Sequence, residues 1–211
     1  MTHNNRILSP EIIDLPRFDP KIALGVMASG KGSNFDALIK YSKLDFDAEI
    51  KCLIVNNHKS GAIDIAKTHN IPFIVLDHKA YKSREELDLE IIKVFSKYNI
   101  DIIVMAGWMR IVTPILINKY SKRIVNIHPS LLPMFKGSDA IQDALNQGVK
   151  ITGCTAHIVE EEVDSGEILI QAAVNIDETD NKESLRKKIQ HVEHKILYKG
   201  IALAAMSIRN I

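Results

Sequence analysis

The tetrapeptide Asn126-Ile127-His128-Pro129 closes an apolar run, and the alternation of side chains along a strand points Asn126 and His128 to one face. An amide donor and an imidazole in one pocket suit the stabilisation of an oxyanion and the movement of a proton. A further acidic candidate is Asp164, in the turn Glu160-Glu161-Glu162-Val163-Asp164-Ser165-Gly166, which by itself also reads as an ordinary solvated charged turn. Asn, His and Asp without a Ser or Cys nucleophile fit acyl transfer to an incoming amine. The substrate then brings the nucleophile, and the protein holds the tetrahedral oxyanion and shuttles the proton. A carboxylate near the imidazole favours imidazolium and would raise the pKa of His128, and it could accept the amine's proton directly or through water. His128, His157 and Asp164 could instead be neighbours around a metal, and His191-x-x-His194 lies on a helix. No zinc spacing such as H-E-x-x-H occurs, so no metal is expected.

Gly30-Lys31-Gly32-Ser33-Asn34 leaves one apolar run and enters a helical pattern, where free N–H groups and the positive helix end favour an anion. A backbone without side chains lets phosphate oxygens approach the amides, and Ser33 and Asn34 add donors; a plain tight turn is the alternative. Gly25 to Lys31 imitates a Walker A loop, but residue 32 is Gly where magnesium needs Ser or Thr, and Gly25 falls inside the strand. Phe73 to Asp77 resembles a Walker B strand only as any buried strand ending in Asp does. The dinucleotide pattern G-x-G-x-x-G fails too, because its third glycine falls on Phe35.

The elements that must position these residues alternate along the chain. Strands are expected at Ile22–Met27, Ile50–Val55, Phe73–Leu76, Ile102–Ala106 and Ile124–Ile127, and helices at Phe35–Tyr41 (capped by Ser33 or Asn34) and Ala62–His69. Ser83-Arg84-Glu85-Glu86 has capping-box form ahead of Leu87, Ile91, Val94, Phe95 and Tyr98 at helical spacing, and Thr113-Pro114 supplies a cap and first-turn proline for a helix to Tyr120. After a proline-bearing loop and a helix near Ala140–Asn146, the strands Ile151–Val159 and Glu167–Val174 are joined so closely that they must be antiparallel. A long amphipathic helix through Leu185, Ile189, Val192 and Ile196 finishes the pattern. Open sheets of this kind bind ligands at the carboxyl ends of their strands, where Gly30 and His128 both fall.

The 211 residues are 46% hydrophobic and 25% charged, which fits one globular domain rather than a disordered or coiled-coil chain. Lys plus Arg number 27 against 26 Asp plus Glu, so nucleic acid is not an expected partner. Cys52 and Cys154 form neither a disulfide framework nor a zinc-spaced pair, which fits a reducing cytoplasm. No apolar run approaches the roughly 18 residues of a membrane span. Residues 1–20, with three prolines and no continuous apolar stretch, read as an N-terminal extension to a single domain over 21–211, with a phosphate-binding half to about residue 120 and a catalytic half after it.

SGKGSN, AGWMRIVTP, NIHPSLLP, FKGSDA, TGCTAHIV and VDSGEILIQ occur in an order and spacing that closely resembles the phosphoribosylglycinamide formyltransferase family, the folate-dependent enzymes of purine biosynthesis. The likeness runs from about Lys21 to Tyr198. It implies a Rossmann-like α/β fold with a mostly parallel seven-stranded sheet, helices on both faces and antiparallel strands in the C-terminal half. It implies formyl transfer from 10-formyltetrahydrofolate to the amine of glycinamide ribonucleotide, in a monomer or homodimer. Asn126, His128 and Asp164 would then be catalytic, Gly32, Ser33 and Asn34 would hold the ribose phosphate, and Glu193 would contact the ribonucleotide. For the folate the matching positions are Arg84, Met109, Arg110, Ile111 and Val112, with Asn126 near the transferred group. Ordinary core packing equally accounts for Met109, Ile111 and Val112, and a first-turn surface charge for Arg84. The chain departs from the family in Ile141, where His is frequent, and in Trp108, where Phe or Tyr is common. Transfer-RNA formyltransferases and formyltetrahydrofolate hydrolases carry additional domains that 211 residues do not accommodate. A non-catalytic nucleotide-binding module would not need Asn126, His128 and Asp164 together.

Overall fold

Fifteen short segments of regular structure arise from this alternation in the computed structural model, which describes residues 7–12, 14–44 and 47–209. In chain order they are β1 (Leu8–Ser9), β2 (Ile22–Ala28), α1 (Ser33–Leu44), β3 (Ala48–Val55), α2 (Ala62–Thr68), β4 (Phe73–Val75), a single 3₁₀ turn (His78–Ala80), α3 (Arg84–Lys97), β5 (Ile102–Met105), α4 (Pro114–Lys119), β6 (Ile124–His128), α5 (Ala140–Asn146), β7 (Ile151–Ile158), β8 (Ile168–Asn175) and α6 (Lys182–Arg209).

The strands form one sheet in the order β1-β8-β7-β6-β5-β2-β3-β4. β6, β5, β2, β3 and β4 are mutually parallel, whereas β7, β8 and β1 pair antiparallel at one side. The chain moves outward from β2 to β3 and β4, then returns to place β5 on the other flank of β2. The direction of winding therefore reverses between β2 and β5, and a crevice opens outside their carboxyl ends.

Strand alternation divides the core into two layers. Leu24, Val26, Leu53, Val55, Ile102 and Val104 pack beneath α1, α2, α5 and α6; Met27, Cys52, Ile54, Ile103 and Met105 face α3 and α4. Gly25 is needed for this second packing, because a Cβ there would lie 2.6 Å from the Phe95 ring. That glycine serves helix-on-sheet contact and not a phosphate loop.

Three expectations need correction. The sheet has eight strands among the described residues, not seven. The eighth is β1 from the N-terminal extension, which pairs Leu8 with Ala172 and Ser9 with Gln171 along the otherwise open edge of β8; residues 1–6 and 13 of that extension lie outside the described residues. The first long helix starts at Ser33 itself, with Asp36 N–H bonded to the Gly32 carbonyl at 2.9 Å, so neither Ser33 nor Asn34 stands outside the helix as its cap. Thr113 occupies the N-cap of α4 ahead of Pro114 but makes no side-chain cap bond to the helix. The cap of α3 holds: the Ser83 hydroxyl accepts from Glu86 N–H. Its reciprocal bond runs from Lys82 N–H to the Glu86 carboxylate.

Candidate active site

β2, β5 and β6 are neighbours with the same direction, so the loops leaving Ala28, Met105 and His128 emerge side by side. The first two are tied together: Ser29 N–H bonds the Gly107 carbonyl at 3.0 Å, and Met109 N–H donates to the Ser29 hydroxyl at 2.9 Å. The glycine loop and the AGWMR segment therefore form one rim.

At the end of β6, Asn126 and His128 share one face, as alternation requires. Asp164 reaches them from the turn between β7 and β8, with one carboxylate oxygen 3.4 Å from His128 Nδ1 and the other 3.6 Å from His157 Nε2. Gly137 N–H donates to the same carboxylate at 2.8 Å. Asp164 holds a left-handed backbone, φ 52°, which Asp tolerates better than most residues. Two residues on, Gly166 passes so close to Ile158 that a Cβ would sit 2.0 Å from its carbonyl oxygen. The chain can turn back there only without a side chain, and that turn delivers Asp164.

His128 Nε2 donates to the Phe135 carbonyl at 2.8 Å. The His128 pKa runs against expectation. Burial lowers it from its ordinary value, outweighing the Phe135 carbonyl and Asp164, which both raise it, while His157 lowers it further. Burial would likewise raise Asp164, but the His157 ring, the Gly137 N–H and His128 together leave its carboxyl below the ordinary range.

His157 was considered in the sequence only as a possible metal neighbour. β6 and β7 pair it directly opposite Asn126, whose Nδ2 donates to His157 Nε2 at 3.1 Å. No group of three or more His, Cys, Asp or Glu side chains suited to a metal occurs among the described residues.

On the other side of the rim, Gly32 adopts φ 82°, and a Cβ there would lie 2.9 Å from Ala62. The Ser29 and Gly30 carbonyls are drawn off by Asn57 (3.0 Å) and by the Ser60 hydroxyl (2.9 Å), and the first-turn amides of α1 remain directed outward. α6 closes over this helix start: Gln190 donates to the Ser33 hydroxyl at 2.6 Å and Asn34 donates to Glu193 at 3.1 Å. Burial pushes the Glu193 carboxyl up to about 7, against the Asn34 bond and the charge of Arg186. The Asn34 Oδ1 is buried without a hydrogen-bond partner. Gln190 carried no signal in the sequence beyond its place on the helix face of Glu193.

Between the 107–112 segment, the end of β6 and the acidic turn lies a cleft of about 370 Å³, bounded by residues 107–112, by Asn126 to Pro129, and by His157 and Asp164. Arg110 and buried Val112 line it, and Met109 and Ile111 expose 76% and 53% of their surface, far beyond what core packing allows. Asp88, from α3, is a second residue that sequence reasoning passed over. Buried, it accepts from Thr113 N–H at 2.6 Å and draws on the charge of Arg110, which anchors the 110–113 segment. Arg84 stands exposed at the first turn of α3, outside the cleft lining. Ile141, on α5, is buried in the core, and Trp108 lines the cleft. A larger space of about 980 Å³ lies under the N-terminal segment. Its Arg17, Lys21 and Lys199 alternate with Asp14, Asp47 and Glu49, without a convergent set of like groups.

A cleft, a glycine loop and an Asn/His/Asp cluster on this fold suit group transfer, and the chain belongs to the formyl transferase family, whose pattern matches residues 21–201. Within that family the similarity runs to the phosphoribosylglycinamide formyltransferases. The enzyme of that name from Bacillus subtilis is 37% identical over 171 residues, covering 81% of this chain and 88% of the relative. The human trifunctional purine biosynthetic protein adenosine-3 is 41% identical over 186 residues, 88% of this chain, and the chain spans 18% of that longer protein. The crystal structure of phosphoribosylglycinamide formyltransferase from Bacillus halodurans superposes with a TM-score of 0.83 at 39% identity, over 90% of this chain and 97% of the other.

Proposed function

We propose that the protein transfers the formyl group of 10-formyltetrahydrofolate to the amine of glycinamide ribonucleotide in purine biosynthesis. The observation that carries this reading is the cluster of Asn126, His128 and Asp164 at the floor of a cleft whose rim continues into the glycine loop. The cleft suits a flat, partly apolar donor, and the glycine loop beyond its rim a phosphate monoester.

In this reading Gly32, Ser33 and Asn34 hold the ribose phosphate on the first-turn amides of α1, and Glu193 contacts the ribonucleotide beside Asn34. Met109, Arg110, Ile111 and Val112 receive the folate, with Arg84 outside the cleft left to contact its periphery. The amine lone pair attacks the formyl carbon, and the carbonyl π pair moves to oxygen. Asn126 and His128 donate to that oxyanion. The oxyanion displaces the Phe135 carbonyl as the acceptor of the His128 Nε2–H. Its negative charge also raises the affinity of the buried ring for a second proton, against the burial that lowers it. Asp164 accepts the amine proton directly or through water and passes it to His128 Nδ1, 3.4 Å away, as Nε2 gives its own proton to the departing folate nitrogen, the bond to the formyl carbon breaks and the carbonyl re-forms.

Residues 21–211 act in this scheme as one domain. The near-neutral charge supports small-molecule partners rather than nucleic acid, and no helix among the described residues is long and apolar enough to cross a membrane. A cytoplasmic enzyme, monomeric or homodimeric, is the corresponding reading. The test is a coupled assay of folate release with glycinamide ribonucleotide as acceptor. Formylation that requires both substrates supports the proposal. Hydrolysis of the donor without acceptor would favour a hydrolase, and ribonucleotide binding with no turnover a binding module.

A further inference from the structure

A carboxamide has two ends of nearly equal shape and opposite chemistry: its NH₂ group stabilises an oxyanion, and its oxygen repels one. Half a turn about one bond exchanges them, so the proposed role of Asn126 requires something to hold the amide one way round. His157 meets that requirement. Its Nδ1 lies 2.8 Å from the Ile158 carbonyl oxygen. A carbonyl only accepts, so the ring proton stands on Nδ1 and Nε2 presents a lone pair. Asn126 Nδ2 lies 3.1 Å from that Nε2. Turned the other way, the Asn126 oxygen would oppose the lone pair at the same distance. One N–H of Asn126 is thus bound to the ring and the second is left for the cleft. The Asp164 oxygen stands 3.6 Å from Nε2, beyond hydrogen-bond distance, so it neither holds a proton on that nitrogen nor competes for the lone pair. The arrangement is built into the sheet: Asn126 and His157 are direct cross-strand partners, the register of β7 with β8 shifts between Ala156 and His157, and His157 is only 1% exposed.

We infer that His157 is a positioning residue that holds the Asn126 carboxamide in its donating orientation, an inference resting on the formyl-transfer reading above. Two measurements test it. In protein labelled with ¹⁵N at histidine, His157 should show a protonated Nδ1 and an unprotonated Nε2 in the free state; a proton on Nε2 in place of Nδ1 overturns the inference whatever the activity. In kinetics, His157→Phe should lower kcat by about 10- to 100-fold, less than the roughly 100- to 1,000-fold worth of losing one oxyanion donor outright. KM for both substrates should change little. His157→Gln, whose amide oxygen offers Asn126 an acceptor, should recover part of the loss, and either substitution should cost almost nothing further in an Asn126→Ala background. Equal losses in both backgrounds, or no advantage of Gln over Phe, assign His157 a merely structural role. Absence of formyl transfer in the unmodified protein defeats the functional proposal instead, and the ring tautomer still reports on the geometry. Should His157→Phe not fold, the Gln variant and the tautomer decide.

Discussion

Glu193→Gln is expected to stabilise the protein increasingly as pH rises. Glu193 lies beneath the start of α1 with 8% of its surface exposed, and burial lifts its carboxyl from 4.5 to about 7, opposed by the Asn34 hydrogen bond and Arg186. Below 4.5 the group is protonated whether the chain is folded or unfolded, and folding is unaffected. Between 4.5 and about 7 the unfolded chain releases the proton while the folded protein keeps it, so stability falls as pH rises; above about 7 both forms are ionised and the loss levels off. At about 1.4 kcal/mol per tenfold change in proton affinity, the loss is on the order of 3 kcal/mol. Glutamine keeps an oxygen for the Asn34 amide but carries no titrating proton, so the pH-dependent part disappears in the variant. Urea unfolding of both proteins at about pH 4 and about pH 8 measures the effect, because groups common to the two cancel in the difference. The stability difference should open by about 3 kcal/mol in favour of the variant over that range. A difference that stays within about 1 kcal/mol refutes the claim that the buried carboxyl is held near 7 by its surroundings.

Asn126→Ala should lower kcat by about 100- to 1,000-fold while ribonucleotide binding changes little, as measured by steady-state kinetics and calorimetry; near-normal turnover in a folded variant removes Asn126 from the chemistry. Asn34→Ala should chiefly raise KM for the ribonucleotide, and tight magnesium-ATP binding that displaces the ribonucleotide would contradict the phosphate-monoester reading of the glycine loop. Asp164→Asn removes a charge that raises the His128 pKa against burial, so the limb of the pH–rate profile on which activity falls with rising pH should move to lower pH and turnover should drop, with folate affinity largely kept. An unchanged profile, together with multiplicative losses in an Asp164→Asn/His128→Asn double variant, would reject the pair. Gly25→Ala should destabilise the fold without altering KM for either substrate, since its Cβ would meet the Phe95 ring at 2.6 Å; selective loss of ribonucleotide affinity would instead tie Gly25 to the phosphate.

Most of the strands, the helices and the glycine loop are legible in the residues because local patterns encode them. The apolar runs of β2, β5 and β6, the cap at Ser83 and the glycine loop each declare themselves within a few residues, and the period-two alternation of β6 is enough to put Asn126 and His128 on one face. Three things were decided elsewhere. Asn126 meets His157 across 31 residues of chain, Ser33 meets Gln190 across 157 and Asn34 meets Glu193 across 159, and no local period records such pairs. The eighth strand depended on an open edge of β8 to which Leu8 and Ser9 could add, a property of the assembled sheet. The His128 shift was expected upward from its charged neighbour alone. Its direction is set by the balance of that charge against the water lost on burial, and only the packed structure states how much water is lost. The sequence by itself determined which groups are present and which face of each element they occupy; the tertiary structure decided their partners and protonation, because both depend on distances and solvation that close only when the sheet and α6 come together.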